Sequence, residues 1–146
     1  MKLYLFELGH FVYPDIPLPL PVPGYLIQTD EGKNILVDTG FPESFISHPP
    51  AADPYAKVVR PQDYILNRIS EIGLEAIDID LVIVSHFDVD HAGNLSRFCH
   101  VETIVQRQQY EAAKAGHPRF ASTQDQWDNA LIRFRLIDGD VEIAPG

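Results

Sequence analysis

Leu81-Val82-Ile83-Val84-Ser85-His86-Phe87-Asp88-Val89-Asp90-His91-Ala92-Gly93-Asn94 joins an apolar run to a cluster of imidazoles and carboxylates. Leu81 to Val84 is continuous and rich in β-branched residues, which predicts a buried, central strand. Four candidate metal ligands, His86, Asp88, Asp90 and His91, then follow within six positions. His86 and Asp88 are two apart, so on an extended backbone they point the same way. Asp90 and His91 are adjacent, so the chain must turn to aim both at one place, and Gly93 and Asn94 supply that turn chemistry. Imidazole and carboxylate together suit zinc, iron or manganese better than magnesium or calcium. The C-terminal end of a sheet strand is also where α/β folds place their sites. Spacing alone leaves a second reading open, in which the same side chains are solvated loop residues or helix caps. His10, His48, His100 and His117 have no such neighbours and read as surface histidines. Cys99 has no second cysteine near it and reads as a small buried hydrophobe.

Outward from this stretch, strands and helices alternate. Residues 3 to 6 predict a first strand. Five prolines between Pro14 and Pro23 exclude a helix and a central strand there, so an extended surface arm is expected. Tyr25 to Thr29, a polar turn, and Ile35 to Val37 predict a hairpin, ended by Asp38-Thr39-Gly40. A polar, proline-rich loop covers about residues 42 to 61. Pro61 to Gly73 predicts a helix, with Ile65, Leu66, Ile69 and Ile72 on one face and Gly73 as its C-terminal cap. Val101 to Val105 predicts a strand and Arg107 to Ala115 a helix. Ile132 to Ile137 predicts a half-exposed strand, and Val141-Glu142-Ile143 the start of another. Trp127 lies among polar residues, and the sequence leaves pocket lining and partial burial equally open for it. The mixture places the chain in the α/β or α+β class.

The chain has 146 residues, a length that suits one domain. Its 45% hydrophobic and 22% charged residues are close to the globular average, which argues against disorder and low complexity. The net charge of -10 repels phosphate backbones and counts against nucleic-acid binding. A single cysteine permits no internal disulfide and fits a reducing compartment. Glu7 and His10 interrupt the N-terminal apolar run, and no run approaches the roughly 18 residues of a membrane span. A cytoplasmic protein without membrane contact is the expectation.

His86-Phe87-Asp88-Val89-Asp90-His91 resembles the His-x-His-x-Asp-His motif of the metallo-β-lactamase superfamily. Longer stretches are similar to its N-acyl homoserine lactonases: Pro21 to Ile27, Leu36 to Ser44, Val105-Gln106-Arg107 with Tyr110-Glu111-Ala112-Ala113, and Asp138-Gly139-Asp140 with Pro145-Gly146. The resemblance implies the αβ/βα sandwich fold, with only its N-terminal half present. Residues 1–146 would then be a metallo-β-lactamase-like domain that stops before the third metal-binding histidine. One face of its sheet would lie exposed. The chain departs from the family at Asp88, which stands where a second histidine is usual.

The resemblance also implies a mechanism: two divalent ions, zinc or else iron or manganese, share a hydroxide that attacks the lactone carbonyl. His86 and Asp88 would serve the first ion, and Asp90 and His91 the second. Asp90 would be catalytic, handing a proton to the leaving alcohol. Asp38 would orient a ligand and Val89 would shape the pocket. A small lactone or ester is the implied substrate, and a second copy or a completing C-terminal half the implied protein partner. Two other readings remain: an ester or thioester hydrolase of the same superfamily, and a non-catalytic metal-binding or interaction module.

Overall fold

In the computed structural model, which describes residues 1–52 and 54–145, a seven-stranded mixed sheet carries the helices on one face. In chain order the elements are β1 (Lys2–Val12), β2 (Leu20–Gln28), β3 (Asn34–Val37), α1 (Ser44–Ser47), β4 (Ala56–Val58), α2 (Ile65–Glu71) and β5 (Leu81–Ile83). They continue with β6 (Glu102–Gln106), α3 (Arg107–Lys114), α4 (Gln124–Trp127) and β7 (Arg133–Ile137). The spatial order is β4-β1-β2-β3-β5-β6-β7. The pairs from β4 to β3 are antiparallel, and those from β3 to β7 are parallel. The expected mixed class, the hairpin of β2 and β3, and the central position of β5 are all present.

Register explains which face is buried. Tyr4, Leu26, Leu36, Val82, Thr103 and Phe134 form one row across the sheet, and the middle four are fully buried under the helices. Ile65 and Ile69 of α2, Phe98 and Trp127 close the same core. The neighbouring row, Leu5, Tyr25, Val37, Ile83, Ile104 and Arg135, lies on the other face because successive side chains alternate. At its β1 end that face is open: Leu3 is 60% and Leu5 71% exposed. Trp127 is almost wholly buried against Phe87, with ring centroids 5.1 Å apart, and also borders a small cavity beside Phe120.

Four expectations need correction. Pro21 and Pro23 lie inside β2, paired with His10 and Glu7 of β1. The prolines are tolerated because β3 pairs only with Tyr25 to Gln28, so the first half of β2 has a partner on one side alone. The loop between residues 42 and 61 contains a short helix, α1, and an edge strand, β4, that pairs with His10 to Val12. The helix predicted from Pro61 begins only at Ile65. A 3-10 turn over Pro61–Asp63 precedes it, and Tyr64 breaks the path at ψ 129°. Asp63 causes the break: its buried carboxylate turns back to accept from Arg60 N at 2.9 Å and Arg60 Nε at 2.8 Å. Burial opposes that charge, but the Arg60 hydrogen bonds hold Asp63 below the usual carboxylate range. Finally, residues 141–143 form no strand. The β7 strand pairs with β6 only, and Ile143, Ala144 and Pro145 instead border Ile35 and Leu81 on the open face.

His48, His100 and His117 are exposed as expected, whereas His10 is half-buried in β1. Cys99 is half-buried, its thiol donating to Ser96 O at 3.2 Å. Among the described residues, no helix is long and apolar enough to cross a membrane.

Candidate metal centre

The parallel strands β3 and β5 end side by side, and the site grows from those two ends. Asp38 follows β3, with its N–H on Ile83 O at 2.9 Å and its backbone in the left-handed region at φ 62°. Asp is one of the few residues that tolerate this conformation, and it costs roughly 1–3 kcal/mol. A turn beyond β5 returns the chain, with His91 N on Asp88 O at 3.0 Å and Ala92 N on the same oxygen at 2.9 Å. Thr39 fastens the turn to β3, its N–H and hydroxyl both donating to His91 O. Asn94 adds amide bonds to Thr39 O at 2.8 Å and Phe41 O at 2.7 Å. Gly93 is required for this contact: a Cβ there would lie 2.5 Å from Gly40 O and 2.5 Å from Pro42 N.

The residue between His86 and Asp88 is the anchor. Phe87 is fully buried among Phe120, Trp127 and Phe134. Alternation then turns its neighbours outward, as the sequence predicts, and His86 Nε2 lies 3.2 Å from Asp88 Oδ2. His91 is clamped between two carboxylates, with Nδ1 2.8 Å from Asp38 Oδ2 and Nε2 3.1 Å from Asp90 Oδ2. Ser85 joins the two imidazoles. Its N–H donates to Asp38 Oδ1 at 2.8 Å, its hydroxyl lies 2.8 Å from Asp38 Oδ2, and His86 Nδ1 is 2.9 Å away. A hydroxyl proton given to Asp38 leaves the Ser85 oxygen to accept from His86 Nδ1–H. Both rings, with centroids 4.1 Å apart, thus turn Nδ1 toward Asp38 and Ser85, and Nε2 toward Asp88 and Asp90.

Charges follow from this packing. Burial alone would lower the His91 pKa, but the hydrogen bonds it donates to Asp38 and Asp90 raise it to about 9. Burial alone would raise that of Asp90, and the hydrogen bond and charge of His91 hold it below the usual range. Asp88 has a different partner. Arg119 Nε lies 2.7 Å from its Oδ1 and 2.9 Å from its Oδ2, and Nη2 also bonds Oδ2. Tyr55 lies close by, its phenol raised by burial first and then by Tyr13, Asp90 and Asp88. A cleft of about 610 Å³, lined by Ser85, Gln106, Gln109, His117, Arg119 and Phe120, opens beside the cluster. Val89, expected to shape a pocket, is half-buried against the core and does not line that cleft.

A mixed sheet with a His/Asp cluster at the ends of parallel strands defines an α/β protein with its candidate site at the strand ends. The metallo-β-lactamase superfamily model matches residues 17–145, and the chain belongs to that superfamily. An N-acyl homoserine lactonase from a Bacillus species is 36% identical over 135 residues, covering 88% of this chain and 52% of the relative. The lactonase AttM of Azorhizobium caulinodans is 31% identical, covering 84% of this chain and 49% of the relative. A structure of B. thuringiensis AiiA with N-decanoyl-L-homoserine at its active site superposes with a TM-score of 0.84 at 31% identity. That match covers 99% of this chain and 62% of the other. The chain therefore spans about half the length of the curated relatives it matches. Its sheet and helices correspond to one half of the αβ/βα sandwich.

The superfamily implies divalent metal, and the donor chemistry here fits in part. Zinc bound at ~2.0–2.2 Å in tetrahedral geometry sets its donors roughly 3.3 Å apart. The His91–Asp90 and His86–Asp88 separations of 3.1 and 3.2 Å have that dimension. Asp38 on Nδ1 also leaves Nε2 as the ligating nitrogen once the ring is neutral, a common support for metal-bound histidine. Yet among the described residues no three His, Cys, Asp or Glu side chains form a group arranged to hold an ion. Both Asp88 oxygens are already engaged by Arg119, a residue that sequence reasoning missed. It lies 31 positions downstream without a motif, so no sequence signal could have found it. Ser85 was adjacent to the motif, and its role depends on Asp38, which only the fold brings near.

Proposed function

We propose that this protein is a divalent-metal-dependent hydrolase that opens the lactone ring of N-acyl homoserine lactones. The observation that carries the reading is the Asp38–His91–Asp90 chain at the ends of two parallel strands, in a fold shared with lactonases. Zinc suits the donors best, with iron and manganese compatible. When bound, the ion supplies a Lewis acid and lowers the pKa of water.

The chain's own residues divide the remaining work. His91 Nε2 and Asp90 Oδ2 form the donor pair. Asp38 fixes the His91 ring through Nδ1, and Ser85 fixes His86 through its Nδ1. Asp90, held as the carboxylate, would take the proton released by the attacking water and pass it to the alcohol oxygen that leaves as the ring opens. Net addition of water breaks the ester C–O bond and yields a hydroxyl and a carboxylate. The further metal donors come from outside the described residues, either from sequence beyond this span or from a partner copy. The open face around Leu3 and Leu5 is the surface such a completing segment would cover.

The test is ring opening of an N-acyl homoserine lactone by the full-length protein loaded with zinc or manganese, followed as the opened acid by mass spectrometry. Metal-dependent turnover that falls about 100-fold or more in Asp90→Ala supports the reading. Metal binding without turnover on any lactone overturns it in favour of a non-catalytic metal-binding module. Turnover confined to open-chain esters or thioesters reassigns the substrate within the superfamily.

A further inference from the structure

Asp88 gives this site a carboxylate where the motif it resembles has an imidazole, and Arg119 pairs with that carboxylate. The guanidinium meets both carboxylate oxygens, with Nε at 2.7 and 2.9 Å and Nη2 on Oδ2. Two-point Arg–carboxylate pairing is among the strongest polar contacts available to side chains. Asp88 is mostly buried, at 19% side-chain exposure, while Arg119 reaches it from the surface at 60%. The partner is thus drawn from a separate element, the 3-10 turn over Pro118–Thr123. That turn is itself tied down: Thr123 Oγ1 bonds Phe87 O, and Phe120 packs on the Phe87 ring. The same Phe87 positions Asp88, so both partners share one anchor.

The charge balance is informative. An imidazole contributes a neutral donor, whereas Asp88 alone would add a negative charge beside Asp90 and Asp38. With Arg119 the pair is neutral again, but it offers no unengaged donor. An ion on His86 and Asp88 would have to break a two-point ion pair and sit against the guanidinium charge. The His91–Asp90 pair is engaged too, at 3.1 Å, but through a single contact and with no direct bond to Arg119, against the two-point grip on Asp88.

We infer that the Asp88–Arg119 pair takes the place of one of the two divalent ions that the resemblance implies, so that the site holds a single ion, on Asp90 and His91, beside a resident guanidinium. The inference rests on the metal-dependent reading above and deepens it. It is tested by counting metal in the full-length protein, loaded with excess zinc, desalted and measured by inductively coupled plasma mass spectrometry. Isothermal titration with zinc gives the same number independently. The wild-type protein should hold one zinc per chain, and Arg119→Gln should hold two. Asp88→His, which removes the carboxylate from the pair, should also hold two, and far-UV circular dichroism checks that each variant is folded. Two zinc ions in the wild type overturn the inference while leaving the metal-dependent reading intact. One zinc in the wild type and in both folded variants overturns the role of Arg119. No zinc in the wild type removes the metal-dependent reading itself, and the inference falls with it.

Discussion

Asp38 Oδ2 lies 2.8 Å from Nδ1 of His91, from a backbone held in the left-handed region at φ 62°. The two residues are 53 positions apart, and the contact crosses from the end of β3 to the turn after β5. A strained aspartate that grips an imidazole reads as a device for aiming that ring. Asp38→Asn separates aim from strain, because Asn also tolerates this backbone but cannot hold the ring as an anion does. Its zinc affinity should fall about 10- to 100-fold, measured by isothermal titration, with unchanged far-UV circular dichroism. Unaltered affinity would mean that the contact is structural only.

The same clamp makes the metal-free protein sensitive to pH. The His91 pKa is raised to about 9 from an unfolded value near 6.5, so the folded state binds the proton more tightly. Its stabilisation is complete below about pH 6.5 and is lost as pH rises through about 9. The size is on the order of 3 kcal/mol. Urea unfolding of chelator-treated protein between pH 6 and 9.5 should show this decline, and His91→Gln should flatten it. Zinc competes with the same proton, so zinc affinity should rise over the same interval.

How much of this could be read from the chain depends on distance along it. Ser85 to Asn94 was legible because alternation and turn chemistry are local: Phe87 goes in, and His86 and Asp88 come out. The β2–β3 hairpin and the buried strand β5 were legible for the same reason. Pro21 and Pro23 misled because a strand with one unpaired side accepts proline, and sidedness is decided by where β3 ends. The break at Tyr64 depends on Asp63 bonding back to Arg60, which outweighs the helical periodicity of the residues after Pro61. Asp88 was expected as a metal ligand from its place in the motif. The guanidinium on it comes from a turn that only tertiary packing brings there.

Phe87 carries no chemistry of its own, yet the site depends on it. Its ring fills a fully buried position between Phe120, Trp127 and Phe134, and both flanking site residues take their direction from it. Phe87→Ala should cost about 3–5 kcal/mol in urea unfolding. Phe87→Leu keeps most of the volume and should cost less, with zinc affinity largely retained. If the alanine variant lost less than about 1 kcal/mol, the anchor would have to be sought elsewhere.

Gly93 offers the sharpest steric test of the turn that carries His91. Its φ is not in the left-handed region, so backbone freedom is not the reason for glycine here. The reason is space: an added methyl would sit 2.5 Å from Gly40 O and from Pro42 N, both backbone positions that cannot swing aside like a side-chain tip. The Gly93 N–H also bonds Gly40 O at 3.0 Å, and Asn94 next to it bonds Thr39 O and Phe41 O, so moving the turn breaks several bonds together. Gly93→Ala should therefore destabilise by about 1–3 kcal/mol or more in urea unfolding. Because the displaced turn also carries His91 away from Asp38, zinc affinity should fall in the fraction that remains folded. A stable Gly93→Ala protein with wild-type zinc affinity would show that the β3 end and the His91 turn are not held in this close contact.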